Sequence, residues 1–122
     1  MPLPIAEPPL FDPIPVEKLR KIAGDIDPGF VVEMAQLFLA ETEKSLVEIK
    51  AAADRTDARA LSRLAHSLKS SAATLGLMKL SQACRSLELD TKDGEVGSGT
   101  LALVTTVCAH FEETIPVLRQ MA

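Results

Sequence analysis

The sequence predicts an all-α domain: an antiparallel up-down-up-down four-helix bundle with a short extra N-terminal helix. Three observations carry that expectation. Apolar residues recur at three- and four-residue spacing along most of the chain, as in Leu101, Val104, Cys108, Phe111, Ile115 and Leu118. No segment alternates apolar and polar residues with the period of two that a half-buried strand requires. Six of the eight prolines fall within residues 1–15, which leaves the rest of the chain largely free to be helical.

At 122 residues the chain suffices for one domain with a single modest core. That core must be aliphatic, because the sequence holds four Phe and neither Tyr nor Trp. The same scarcity, with a net charge of −4, removes both the basic groove and the stacking platforms of a nucleic-acid binder. No uninterrupted apolar run approaches the roughly 18 residues of a membrane span. A basic segment followed by an apolar one is also missing from the N-terminus. The expectation is a cytoplasmic monomer without membrane contact. Cys84 and Cys108 both fall at apolar helical positions and read as reduced core thiols, not as a disulfide or metal pair.

Residues 1–15, MPLPIAEPPLFDPIP, cannot sustain a helix, since each proline removes a donor and crowds the preceding turn. They read as a proline-rich linker, or an arm lying on the surface, ahead of a domain over residues 16–122. VEKLRKIAG is a short helix stopped by Gly24. Asp27 and Pro28 then supply an N-cap and a first helical position for a second helix running to about Ala53. Its core stripe is Phe30, Val31, Met34, Leu37, Phe38, Thr42, Ser45 and Ile49, with Val32 and Leu39 outside it. DRTD interrupts the pattern, and a third helix runs from about Asp57 to Leu75 with Gly76 as its stop. Leu77, Leu80, Cys84 and Leu87 mark a fourth helix. DTKDGEVGSG is a polar loop, and the last helix starts near Thr100 and loosens at Pro116.

The third helix carries the residue of most chemical interest. At about 100° per residue, Leu61, Leu64, Ala65, Leu68, Ala72 and Leu75 share one sector, and His66 lies about 150° from its centre. It points away from the core. Its neighbours on that face are Ser62 and Arg63 behind, Lys69 and Ser70 ahead, then Ala73. Small residues leave the ring uncovered. A cation beside an imidazole opposes its protonation, which suits a proton-transfer base poorly and a carried dianionic phosphoryl group well. On pattern alone a solvated surface histidine fits too. A helical zinc site needs a second ligand four residues away, and Ser62 and Ser70 stand there instead. A nucleophile elbow and a phosphate-binding glycine loop are both absent from the sequence. His110, beside the seam of the last helix, reads as a half-buried structural histidine.

AHSLKSSAATLGLMKLSQACRSLE, residues 65–88, closely resembles the signature of histidine-containing phosphotransfer (HPt) domains of two-component phosphorelays. The pattern is Ala-His-x-Leu-Lys-(Gly/Ser)-Ser-Ala, then Leu-Gly, then a helix ending in Cys-x-x-Leu-Glu, and the resemblance extends over residues 16–121. It implies that His66 accepts a phosphoryl group through Nε2 and that Lys69 neutralises the phosphoryl oxygens. Ser70 stands where many members have glycine, kept small for a partner's approach. Ser71, Ala72, Leu75 and Gly76 match packing and turn positions. Glu88 matches a position near the site that is Gln in some members.

The resemblance further implies receiver domains of response regulators or of a hybrid histidine kinase as partners. The receiver would bring the aspartate and its Mg²⁺, and this chain would bind no cofactor of its own. The residues around the histidine (Ser62, Arg63, Ser67, Ser70 and Ala73), with apolar Leu19, Ile22, Val32 and Leu39, are the candidate docking surface. Two other readings compete. A helical adaptor would keep the bundle and make His66 incidental. A histidine-kinase dimerisation hairpin would also expose a histidine, but it needs a dimer and an ATP-binding domain.

Overall fold

The computed structural model describes residues 8–121, and within them the secondary structure is entirely helical. Five helices follow one another: α1 (Ile14–Ala23), α2 (Phe30–Asp54), α3 (Ala58–Thr74), α4 (Met78–Thr91) and α5 (Ser98–Met121). Each of α2 to α5 packs on the next, α5 closes the ring on α2, and α1 rests on α2 and α3. Residue pairings fix the local directions. Ser81 of α4 bonds the carbonyl of Lys69 on α3, while Asp90 near the end of α4 accepts from Thr100 near the start of α5. With Glu88 of α4 opposite His66 of α3, these pairings make α4 run back along α3. The aliphatic core expected from composition is present, with Ile49, Leu61, Leu75, Leu80, Leu87 and Leu118 fully buried.

The helix boundaries show which local signals the fold uses. The Asp57 carboxylate accepts from the backbone N–H of Ala60 at 3.1 Å, as an N-cap should. Gly76 adopts φ +76°, a left-handed conformation that costs glycine little and ends α3 cleanly. The expected start of α2 at Asp27 and Pro28 is corrected. There the Asp27 carbonyl closes a turn onto Phe30 N at 3.1 Å, and the helix begins after Gly29. Pro116 is an exposed position within α5, and the helix continues through it to Met121.

Two core stripes are also corrected. In α5 the buried line is Thr100, Val104, Val107, Phe111, Thr114, Leu118 and Met121. Leu101 is exposed, and Cys108 and Ile115 are only half-buried. The heptad spacing holds, but the seam lies to one side of the expected one. In α2, Ala35 and Leu46 occupy inward positions while Leu37 turns outward. By length and composition alone α5 is long and apolar enough to cross a bilayer, although Thr105, Thr106, His110, Glu112 and Glu113 interrupt its apolar residues. In the bundle it turns Val104, Val107, Phe111 and Leu118 into the core.

Leu10 to Asp12 are tied to the α3–α4 corner. Asp12 N donates to Gly76 O at 2.8 Å, Met78 N donates to Leu10 O at 3.1 Å, and Phe11 packs against the core. The Asp12 carboxylate also accepts from Ile14 N at 3.0 Å, which starts α1 two residues before position 16. Of the proline-rich segment, residues 1–7 lie outside the described residues.

Candidate functional site

The cap at Asp57 and the stop at Gly76 set the limits of α3, and the helical step then decides what each face carries. Leu61, Ala65, Leu68 and Ala72 turn inward and are buried, while Leu64 is half-buried against them. His66 is consequently outward, with 62% of its side chain exposed.

The ring is held from the neighbouring helix. His66 Nδ1 lies 2.6 Å from Glu88 Oε2, and the other carboxylate oxygen accepts from Lys69 Nζ at 2.5 Å. An ionised carboxylate can only accept, so this partner assigns the hydrogen of the neutral ring to Nδ1 and leaves the Nε2 lone pair free. The Lys69 hydrogen bond holds the Glu88 carboxyl below the usual carboxylate range, opposed by partial burial and reinforced by the bond from His66. Beneath the cluster, burial pushes the Cys84 thiol up to about 12, with the Lys69 charge acting weakly the other way. Cys84 is thus a neutral packing group, and both cysteines are free thiols.

Two open depressions flank Glu88. One is lined by His66, Ser67, Arg59, Arg63 and the start of the α4–α5 loop. The other is lined by Lys69, Ser70, Ala73, Gln82 and Arg85. Ser62, Glu88 and Lys92 border both. On the opposite flank of α3, a cleft of about 290 Å³ runs between α2 and α3, lined by Met34, Leu37, Phe38, Ser67, Ser71 and Leu75. Ser67 links this cleft to the His66 depression.

The structure therefore gathers Ser62, Arg63, His66, Ser67, Lys69, Ser70 and Ala73 on one face, as the sequence places them. The apolar docking candidates divide. Leu19 and Leu39 are half-buried and pack against the core, Val32 is half-buried, and Ile22 is 79% exposed on α1. The exposed apolar residue beside Ser67 is Leu37, at 62% exposure, which the sequence assigns to the core. Sequence reasoning also leaves Glu88 without a role. A count across the hairpin finds it, because His66 and Glu88 stand eleven residues either side of Leu77. His110 is half-buried on α5, with Nδ1 3.5 Å from Glu113, and lines neither depression.

No curated protein sequence matches the chain. Among solved structures, the histidine-containing phosphotransfer protein B (HptB) of Pseudomonas aeruginosa PAO1 superposes with a TM-score of 0.79 at 24% identity, over 92% of this chain and 93% of that one. A rice protein described as a histidine-containing phosphotransfer protein gives 0.78 at 23% identity, over 92% of this chain and 79% of its own. These likenesses concern the fold. Residues 33–120, from early α2 to the last turn of α5, match the Hpt domain family, and the chain belongs to that family of phosphotransfer domains.

Proposed function

We propose that the protein is a phosphorelay intermediate: His66 accepts a phosphoryl group from the aspartyl phosphate of a receiver domain and passes it to, or back to, another receiver aspartate. The observation that carries this reading is the bond from His66 Nδ1 to Glu88, which turns an unencumbered Nε2 toward solvent on an exposed helix face. In the step, the Nε2 lone pair forms a bond to phosphorus while the bond from phosphorus to the aspartyl oxygen breaks. The aspartate leaves as carboxylate with that electron pair, and Nδ1 keeps its hydrogen against Glu88. The reverse step restores both partners, so no further reactant is consumed.

The chain is half of an active site. The receiver supplies the acidic pocket and Mg²⁺, whose chemistry is to neutralise charge on the transferring group. This chain supplies a nucleophile whose tautomer and orientation are set in advance, which lowers the cost of alignment. It also supplies a place to dock, the α2–α3 cleft with exposed Leu37 next to Ser67. The reading includes a cytoplasmic, monomeric carrier without kinase activity of its own. Incubation with a receiver carrying radiolabelled phosphate tests it: the label should move to His66 and be absent from His66→Gln. A helical adaptor would bind the receiver and take no label.

A further inference from the structure

The resemblance assigns Lys69 to the phosphoryl group, yet the Lys69 ammonium is bonded to Glu88, and Lys69 does not line the depression that holds His66. The cations that do line it are Arg59, Arg63 and Lys92. We infer that Arg63 and Lys92 form the cradle for the phosphoryl oxygens on His66 Nε2, while Lys69 is a positioning residue that holds Glu88. This inference rests on the phosphoacceptor reading of His66.

Direction is the first argument. Helical side chains lean toward the helix N-terminus, so the His66 ring covers the turn containing Ser62 and Arg63, and Lys69 stands on the turn behind it. Glu88 takes Nδ1, so Nε2 on the other side of the ring is directed away from the carboxylate and from the ammonium bonded to it. Position on α4 is the second. Lys92 follows Glu88 by four residues, one turn along the same face. Because α4 runs back along α3, that turn carries Lys92 toward Ser62 and Arg63, and the three border one depression.

Charge is the third argument. Lys69 and Glu88 neutralise each other as a pair, so the pair offers little net attraction to a dianion. Arg63 and Lys92 make no ion pair among the described residues, so their charge is uncommitted. Asp93 on the rim offsets part of it, and Arg59 restores the balance toward positive. Both Arg63 and Lys92 are exposed, so drawing them onto a phosphoryl group disturbs no packing.

The test compares Arg63→Ala, Lys92→Ala and the double variant with the wild type, using a receiver carrying radiolabelled phosphate. Each single variant should transfer about tenfold more slowly, the usual effect of losing one charge-assisted bond. The double variant should be slower than either, and Lys92→Arg should retain the rate. The ³¹P resonance of phosphorylated His66, recorded after the receiver is removed, should move in Lys92→Ala and Arg63→Ala. A wild-type rate in the double variant overturns the cradle. So does a slower rate with an unmoved resonance, because the cations would then act only on the approach of the receiver. If the wild type itself takes no label, the phosphoacceptor reading fails first, which is a distinguishable result.

Discussion

Glu88 on α4 joins its two carboxylate oxygens to two residues of α3, with His66 Nδ1 at 2.6 Å and the Lys69 ammonium on the other side. One side chain thus fixes both the tautomer of the acceptor and the position of the Lys69 ammonium. Glu88→Ala should leave His66 free to rotate and to carry its hydrogen on either nitrogen. Transfer should fall about ten- to a hundredfold, the range for losing a charge-assisted contact. Glu88→Gln keeps an oxygen for Nδ1–H but turns an amide toward Lys69, so its loss should be smaller. Rapid-quench transfer assays rank the two, and ¹⁵N spectra of His66 report the tautomer directly.

The same pair of bonds gives Glu88 a signature in acid. Its folded carboxyl titrates below the ordinary value of 4.5, chiefly through the Lys69 hydrogen bond. The stabilisation is therefore complete above that ordinary value and is lost as pH falls through the folded one. Denaturant unfolding from pH 7 to pH 3 should show the gap between wild type and Glu88→Gln narrowing only below about pH 4.5. A gap that is constant across the range would mean that the carboxylate is not held by Lys69 in solution.

His66→Gln should abolish phosphoryl acceptance while changing stability by about 0.5 kcal/mol or less, since the ring is largely exposed and the Gln amide can still donate to Glu88. The label on the wild type should be lost in acid and survive base, as a phosphoramidate does. Acid-stable label, or label on the Gln variant, would place the chemistry on another residue.

Much of this arrangement is legible in the sequence, and the exceptions have physical causes. Asp57 and Gly76 are unambiguous because each is used for the purpose its chemistry favours, a carboxylate cap and a left-handed stop. Asp27 and Pro28 carry equally good start signals, but the chain spends them on a turn. The α5 seam is displaced because threonines count as polar in a sequence and as filler in a core. Thr114 is fully buried with its hydroxyl bonded to the Phe111 carbonyl at 2.6 Å, which removes the cost of hiding it. Leu37 shows the converse, an apolar residue that no core neighbour claims. Local pattern could not assign Glu88 or Lys92, because their meaning lies across the α3–α4 hairpin and not within one helix.

Gly76 links the N-terminal segment to the helix that bears the site. A Cβ at this position would collide with the Asp12 carbonyl carbon and oxygen and approach Phe11, and φ +76° would strain any L-residue. Gly76→Ala should break the bond from Asp12 N to Gly76 O and lift Leu10 to Asp12 from the corner. Destabilisation should reach about 1–3 kcal/mol, from backbone strain and lost packing together. Hydrogen exchange should speed at the Asp12 and Met78 amides, while the middle of α5 is protected as before until the whole domain unfolds.

Ser70 gives the sharpest test of how a receiver reaches His66. It is exposed, one turn beyond the histidine on the same face, and its hydroxyl donates to the His66 carbonyl at 3.3 Å. Ser70→Gly should preserve or modestly improve transfer, at a helix-propensity cost of a few tenths to about 1 kcal/mol. Ser70→Phe leaves α3 helical and Glu88 in reach of His66, but it raises a bulky ring on the turn next to the histidine, in the way of a receiver's broad surface. Transfer from a receiver should therefore stop, while circular dichroism and the His66 tautomer are unchanged. A small donor such as acetyl phosphate, where it labels the wild type, should lose far less, since it needs no broad approach. Leu37→Ala separates approach from docking: it removes apolar contact at the α2–α3 cleft and should weaken receiver binding without blocking the saturated rate. If Ser70→Phe accepts phosphate at the wild-type rate while Leu37→Ala is impaired, the receiver docks on the cleft and reaches His66 over Ser67 rather than over Ser70.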